Sequence, residues 1–181
     1  RTEGDYSVEN IMNFFEHNLK ENQIMLVKLH NYASASIQFE RYKKVLPFPK
    51  GFDAYAVLNI ADCLITDYSS VFFDFVNTGK KIVLFTYDRE EYLRDRGLYL
   101  DLNELPFPKA DTYEELLIHL NSEKDYEDSL FIKRFCEYDC INSTQKLIDH
   151  IVEEKNTCST ESVVSNGKKM FCYMIQRLKG D

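Results

Sequence analysis

The stretch 61–75, ADCLITDYSSVFFDF, decides how the chain is read. Cys63, Leu64, Ile65 and Thr66 form an apolar run of strand length that stops abruptly at Asp67-Tyr68-Ser69-Ser70, and a second apolar segment begins at Val71. No Gly or Pro separates the two, so the polar residues themselves must turn the chain from a buried strand into a helix. In an open parallel sheet such a strand-to-helix turn lies at the carboxyl edge, where ligands bind.

Working outward, the pattern repeats. Upstream, Ser7 is placed to cap a helix whose apolar positions Val8, Ile11, Met12, Phe15 and Leu19 recur at helical spacing. Residues 24–29 and 44–46 read as strands, the second closed by Pro47-Phe48-Pro49, and 54–60 as a short helix. Downstream, 71–77 is a helix stopped by Gly79, 81–86 a buried strand, and 89–95 a helical segment before Arg96-Gly97. Thr112 and Glu115 form a capping box for a helix over 113–120, and helices are expected over 126–135 and 143–153. Strands that are apolar throughout and alternate with helices belong to a parallel sheet covered on both faces. The fold expected is α/β, a Rossmann-like parallel sheet with helices on both faces. Residues 1–155 form that domain. Residues 156–181 form a polar linker and a tail in which Lys168, Lys169, Arg177 and Lys179 flank apolar residues, as in an amphipathic basic helix that either contacts anionic membrane or packs back onto another domain of the protein.

Composition narrows the function classes. Of 181 residues 44% are hydrophobic and 14% aromatic, enough for a packed core. Thirty acidic against 22 basic residues leave a net charge of −8, which argues against a nucleic-acid partner. The five cysteines at 63, 136, 140, 158 and 172 make no CxxC pair, so free thiols are expected rather than zinc, and no metal or cofactor is assigned. No run of about 18 apolar residues is present and no signal-like segment opens the chain, which gives an expectation of a cytoplasmic protein held peripherally at the inner face of the membrane. Arg1 at the start reads as a piece of something longer.

The 67–70 turn is the candidate binding site. Hydroxyls of Ser69 and Ser70 and the N–H groups that open the next helix can cradle a phosphate without glycine. Asp67 is included in the site, although it equally serves to bond turn N–H groups. Asp74, four residues beyond Ser70, is placed to orient a serine or accept from a polyol hydroxyl. Arg96, with Gly97, is a candidate phosphate contact. There is neither a GxSxG elbow nor a GxGxxG run, which sets aside a serine hydrolase and a dinucleotide dehydrogenase. His17, His119 and His150 fall within helices and read as surface residues.

Four segments in order, IADCLITDYSSVFFDF (60–75), KKIVLFTYDREEYLRDRGLYLD (80–101), TYEELL (112–117) and RFCEYDCINSTQKLIDHI (134–151), resemble the C-terminal half of CDP-glycerol glycerophosphotransferases, the teichoic-acid-type polymerases and primases. The likeness covers roughly residues 1–152. VKLHNY (27–32) looks like that family's histidine-bearing strand end, with Asn31 where the family usually has Pro. After the Arg96-Gly97 block the chain reads Leu105-Pro106-Phe107-Pro108 where the family usually has Pro-Gly. The resemblance implies a GT-B fold, of which this is the C-terminal half, partnered by an N-terminal GT-B domain of the same chain that carries a second histidine as general base. It implies transfer of an alditol phosphate, glycerol phosphate foremost, from a CDP-alditol donor to a hydroxyl of a lipid-linked or polymer acceptor in teichoic-acid or capsule synthesis, with release of CMP. His30 would then be the catalytic residue in this half, which alone would be inactive. Another GT-B activity on nucleotide sugars, or a non-catalytic nucleotide-binding module, uses the same features.

Overall fold

The structure is a computed structural model that describes residues 6–28 and 38–157. It divides into two compact units, residues 1–137 and 138–181. In the first unit the elements alternate: α1 (Val8–Asn18), β1 (Met25–Val27), β2 (Val45–Pro47), α2 (Ala54–Ile60), β3 (Cys63–Thr66), α3 (Val71–Phe75), β4 (Lys81–Phe85), α4 (Arg89–Asp95), β5 (Lys109–Ala110), α5 (Tyr113–Asn121) and α6 (Ser129–Phe135). Short 3₁₀ turns occupy Phe39–Arg41, Val76–Thr78 and Leu102–Glu104. The second unit contributes α7 (Ser143–Thr157), which carries the helix through residues 156 and 157, where a linker was expected.

Among the described residues every strand pairing is parallel. β1 lies beside β2 with Met25 opposite Val45, and β4 lies between β3 and β5, with Cys63 opposite Lys81 and Phe85 opposite Ala110. β4 shows why both faces are covered. Its side chains alternate across the sheet, and Ile82 and Leu84 enter one core with Phe72, Phe75, Phe107 and Phe131, while Val83 and Phe85 enter another with Met12, Phe15, Val45 and Leu116. Helices α3 and α6 therefore cover one face, and α1 and α5 the other. Parallel strands flanked by helices on both faces are the expected Rossmann-like arrangement, here with β1 and β2 in a two-stranded sheet and β3, β4 and β5 in a three-stranded one.

Local signals fix most helix ends. Ser7 accepts from Asn10 N at 3.2 Å, and Thr112 and Glu115 form the expected reciprocal capping box. Gly79 closes the 3₁₀ turn after α3 at φ +69°, a conformation that suits glycine. At the other end of α5, Lys81 Nζ donates to the carbonyls of His119 and Leu120 at 2.8 and 3.2 Å and to that of Ser122, supplying partners that a helix terminus lacks.

Three expectations shift. β1 is shorter than 24–29. β5 was not anticipated, because two residues after a proline carry no periodic signal. The last helix of the first unit begins at Ser129 rather than near 126. There the Tyr126 hydroxyl accepts the Ile82 N–H at 2.7 Å, and Lys124 pairs with the buried Asp128 at 2.7 Å. Those bonds hold 124–128 in a non-helical path.

Candidate functional site

The carboxyl ends of β3, β4 and β5 open on the same edge of the sheet. β3 leaves through 67–70. Asp67 Oδ1 accepts the Ser69 N–H at 3.2 Å, a side-chain-to-backbone turn that reverses the strand. Ser69 Oγ accepts the Val71 N–H at the long distance of 3.4 Å. Ser70 stands at the N-cap of α3 with φ −66° and ψ −5°, and its hydroxyl makes no capping bond. Both serines are exposed, whereas Asp67 and Tyr68 are half-buried. The turn thus faces solvent with its two hydroxyls and sinks its aromatic ring.

Tyr68 connects this turn to the next strand end. Its hydroxyl donates to Asp88 Oδ1 at 2.9 Å, and its ring stacks on Tyr92 with centroids 3.8 Å apart and 24° between planes. Burial, the Asp88 bond and the charges of Asp88, Asp67 and Asp111 push the phenol well above the usual tyrosine range, so the ring is a neutral donor. At the C-cap of α4, the Arg96 guanidinium carbon lies 5.9 Å from the centre of the Tyr92 ring. β4 and β5 are joined in turn by buried Thr86, whose hydroxyl donates to Asp111 Oδ1 at 2.7 Å.

Of the residues singled out from the sequence, Asp67, Ser69 and Ser70 form one continuous surface. Arg96 joins it through Tyr92. Asp74 is exposed on α3 and lines a shallow cleft of about 130 Å³ with Tyr55, Leu58, Asn59, Phe75 and Thr78, a lining that takes nothing from the 67–70 turn. Gly97 has φ +69°, and its N–H donates to Tyr92 O at 3.3 Å, which is the geometry of a helix C-terminus. His30 lies outside the described residues, as does the tail from residue 158. Sequence reading passed over Tyr68, Asp88 and Tyr92. An aromatic ring inside an otherwise polar turn, with another four positions before Arg96, was the available signal. Among the described residues no group of three or more His, Cys, Asp or Glu is placed to hold a metal, and no helix is long and apolar enough to cross a membrane.

The two exposed hydroxyls, with one arginine nearby, are groups suited to a phosphate-bearing ligand, while the Ser69 and Val71 N–H groups are taken up by Asp67 and Ser69. α3 has only five residues, so the hydroxyls, rather than a helix macrodipole, would supply the attraction.

Comparison with known proteins gives that surface a context. Residues 5–153 match the family described as CDP-Glycerol:Poly(glycerophosphate) glycerophosphotransferase. The teichoic acid glycerol-phosphate primase of Bacillus subtilis (strain 168) is 32% identical over 156 residues, covering 81% of this chain and 40% of that protein. The teichoic acid poly(ribitol-phosphate) polymerase of Bacillus spizizenii is 29% identical over 139 residues, covering 74% of this chain and 22% of that protein. Among solved structures, the wall teichoic acid polymerase TagF superposes with a TM-score of 0.66 at 26% identity, over 87% of this chain and 40% of that one. A histidine-to-asparagine variant of TagF soaked with CDPG matches with the same TM-score. The chain thus spans between about a fifth and about two fifths of these proteins' length.

Proposed function

Because the chain belongs to the CDP-glycerol:poly(glycerophosphate) glycerophosphotransferase family, we propose that it forms the donor-binding part of a transferase that moves glycerol phosphate from CDP-glycerol to an acceptor hydroxyl of a cell-surface polymer. The observation that carries this reading is the pair of exposed serine hydroxyls at the carboxyl end of β3, within a segment that matches the family throughout.

The acceptor oxygen attacks the phosphorus that bears the glycerol. The bond from that phosphorus to the bridging oxygen breaks, CMP leaves with the bridging oxygen, and the acceptor hydroxyl's proton passes to a base. Catalysis of such a displacement is chiefly positioning and charge stabilisation. The hydroxyls of Ser69 and Ser70 hold the pyrophosphate. Arg96 offsets its charge. His30, by its likeness to the family's histidine-bearing strand end, donates a hydrogen bond or a proton to the departing phosphate, and its near-neutral intrinsic pKa suits that task. The base belongs to an N-terminal GT-B domain, so the 181 residues alone are inactive. The acceptor is lipid-linked or polymeric, and the basic tail holds the enzyme against the inner face of the membrane.

A poly(ribitol-phosphate) polymerase among the relatives makes CDP-ribitol the second donor to test. Release of CMP by the full-length gene product is measured with CDP-glycerol, CDP-ribitol and a UDP-sugar in parallel. The expected result is turnover with a CDP-alditol alone. Ser70→Ala sharpens the test, because its hydroxyl makes no capping bond and its loss should change stability by less than about 0.5 kcal/mol. KM for the donor should rise by about one order of magnitude, as for one lost hydrogen bond to a charged group. Turnover with the UDP-sugar alone, or an unchanged KM in Ser70→Ala, would remove the reading of this turn as the CDP-alditol site.

A further inference from the structure

We propose that Tyr68 and Tyr92 are positioning residues for the donor pyrophosphate: their stack, with the Tyr68–Asp88 bond, fixes the 67–70 turn to α4, so that the serine hydroxyls and Arg96 form one preset surface. The inference rests on the function proposed above and deepens it.

The turn has little of its own to hold it. Its internal bonds are Asp67 to the Ser69 N–H at 3.2 Å and Ser69 to the Val71 N–H at 3.4 Å, and Ser70 adds no side-chain cap. Its hydroxyl-bearing residues are exposed, so they gain nothing from packing. Tyr68 is the side chain of the turn that reaches the interior, where it packs against the core that contains Phe72 and Leu84. From there it makes both long-range ties, the 2.9 Å bond to Asp88 and the 3.8 Å stack on Tyr92.

Those two ties fix different degrees of freedom. The stack sets the separation of the turn from α4, since ring faces have a preferred offset distance but slide easily. The hydrogen bond sets the slide, because a directional bond to a charged acceptor at the tip of the ring tolerates little displacement. Asp88 immediately precedes α4 and Tyr92 lies within it. The ties therefore end on α4 and its N-cap, and Arg96 is the C-cap residue of the same helix, four positions beyond Tyr92 and against its ring. A shift of the turn by about 1 Å would separate hydroxyls and guanidinium from a pyrophosphate that must meet both, and displacements of that size are costly in phosphoryl transfer.

Tyr92→Leu, Tyr92→Phe and Tyr68→Phe in the full-length gene product test this, with CDP-glycerol as the probe. Tyr92→Leu, which removes the ring, should raise KM for CDP-glycerol about tenfold while kcat changes less than about threefold. Tyr92→Phe keeps the ring and should restore the wild-type KM. Tyr68→Phe keeps the stack and loses the Asp88 bond, and should raise KM by a smaller factor, about three- to fivefold. Thermal melts accompany each variant. A role limited to stability lowers the melting temperature and the active fraction but leaves KM unchanged, so a folded Tyr92→Leu protein with wild-type KM overturns the proposal. Should Tyr92→Leu not fold, Tyr68→Phe decides alone, because it deletes one oxygen and no packing volume, and a wild-type KM overturns the proposal there too. Wild-type protein that turns over neither CDP-glycerol nor CDP-ribitol would overturn the proposed function and this inference with it. Turnover with unaltered KM in the variants overturns the inference alone.

Discussion

Glu16, near the end of α1, accepts the backbone N–H of Val45, the first residue of β2, at 3.1 Å. The same carboxylate takes the N–H groups of Lys43 and Lys44 at 2.8 and 2.9 Å. A helix side chain thus terminates the approach to a strand 29 residues away and helps set where β2 begins beside β1. Burial raises its pKa, but the three backbone bonds and the Lys44 charge outweigh that, and the carboxyl lies below its ordinary range.

The pH dependence follows from that depression. A carboxyl with a folded pKa below its unfolded value near 4.3 contributes its full stability above the unfolded value and loses it as pH falls through the folded one. Glu16→Gln is expected to destabilise the protein by about 1 kcal/mol at pH 7, a modest figure because the site is only half-buried. The gap between variant and wild type should close as pH falls from about 4.3 through the lower folded value. Thermal melts followed by circular dichroism from pH 7 to pH 3 check this, and a gap that stays constant would mean the charge is not involved.

Gly97 separates a backbone role from a ligand contact. Its φ of +69° is strained for residues with a Cβ, yet a Cβ built there meets nothing within 4 Å. Gly97→Ala should therefore cost about 1 kcal/mol through backbone conformation alone, roughly 2–4 °C in melting temperature for a chain of this size. Gly97→Asn should cost less, because asparagine visits the left-handed region more readily. Donor KM should not change in either. A raised KM with an unchanged melting temperature would instead place the glycine against the substrate.

The described cysteines should differ sharply in reactivity. Burial pushes the Cys63 thiol up to about 11 despite the nearby Lys81, and buried Cys136 lies with Sγ 3.6 Å from the Phe73 carbonyl. Cys140 is exposed, and the Ser143 hydroxyl, the Asn142 backbone and the Lys146 ammonium hold its thiol below the usual range. Ser143 has one hydroxyl proton and nearer acceptors in the carbonyls of Tyr138 and Cys140, at 2.5 and 2.7 Å, so Lys146, 3.4 Å from the sulfur, is the partner to remove. Iodoacetamide at pH 7 should label Cys140 well before Cys63 or Cys136, and Lys146→Met should slow that labelling and move its pH profile upward. Peptide mass spectrometry reads both. Comparable rates at all three sites would contradict the assignment.

Elements whose signal is local could be read from the order of residues. α2 and β3 fall at the expected residues, Ser7 and the Thr112–Glu115 pair start their helices, and Gly79 ends the turn after α3. Each depends on neighbours within about four positions, which is the reach of a cap or a helical period. The carboxyl-edge turn was legible for the same reason, since an apolar strand and an apolar helix bracket it. Tertiary structure alone decided β5, whose two residues become a strand by pairing with Leu84 and Phe85. It also decided the non-helical path at Tyr126, set by a bond to Ile82 across 44 positions, and the stack of Tyr68 on Tyr92. Periodicity and capping carry no information about partners so far away in sequence. Those contacts exist because parallel strands, joined through helices, bring their carboxyl ends to one edge and set side chains from separate loops against each other.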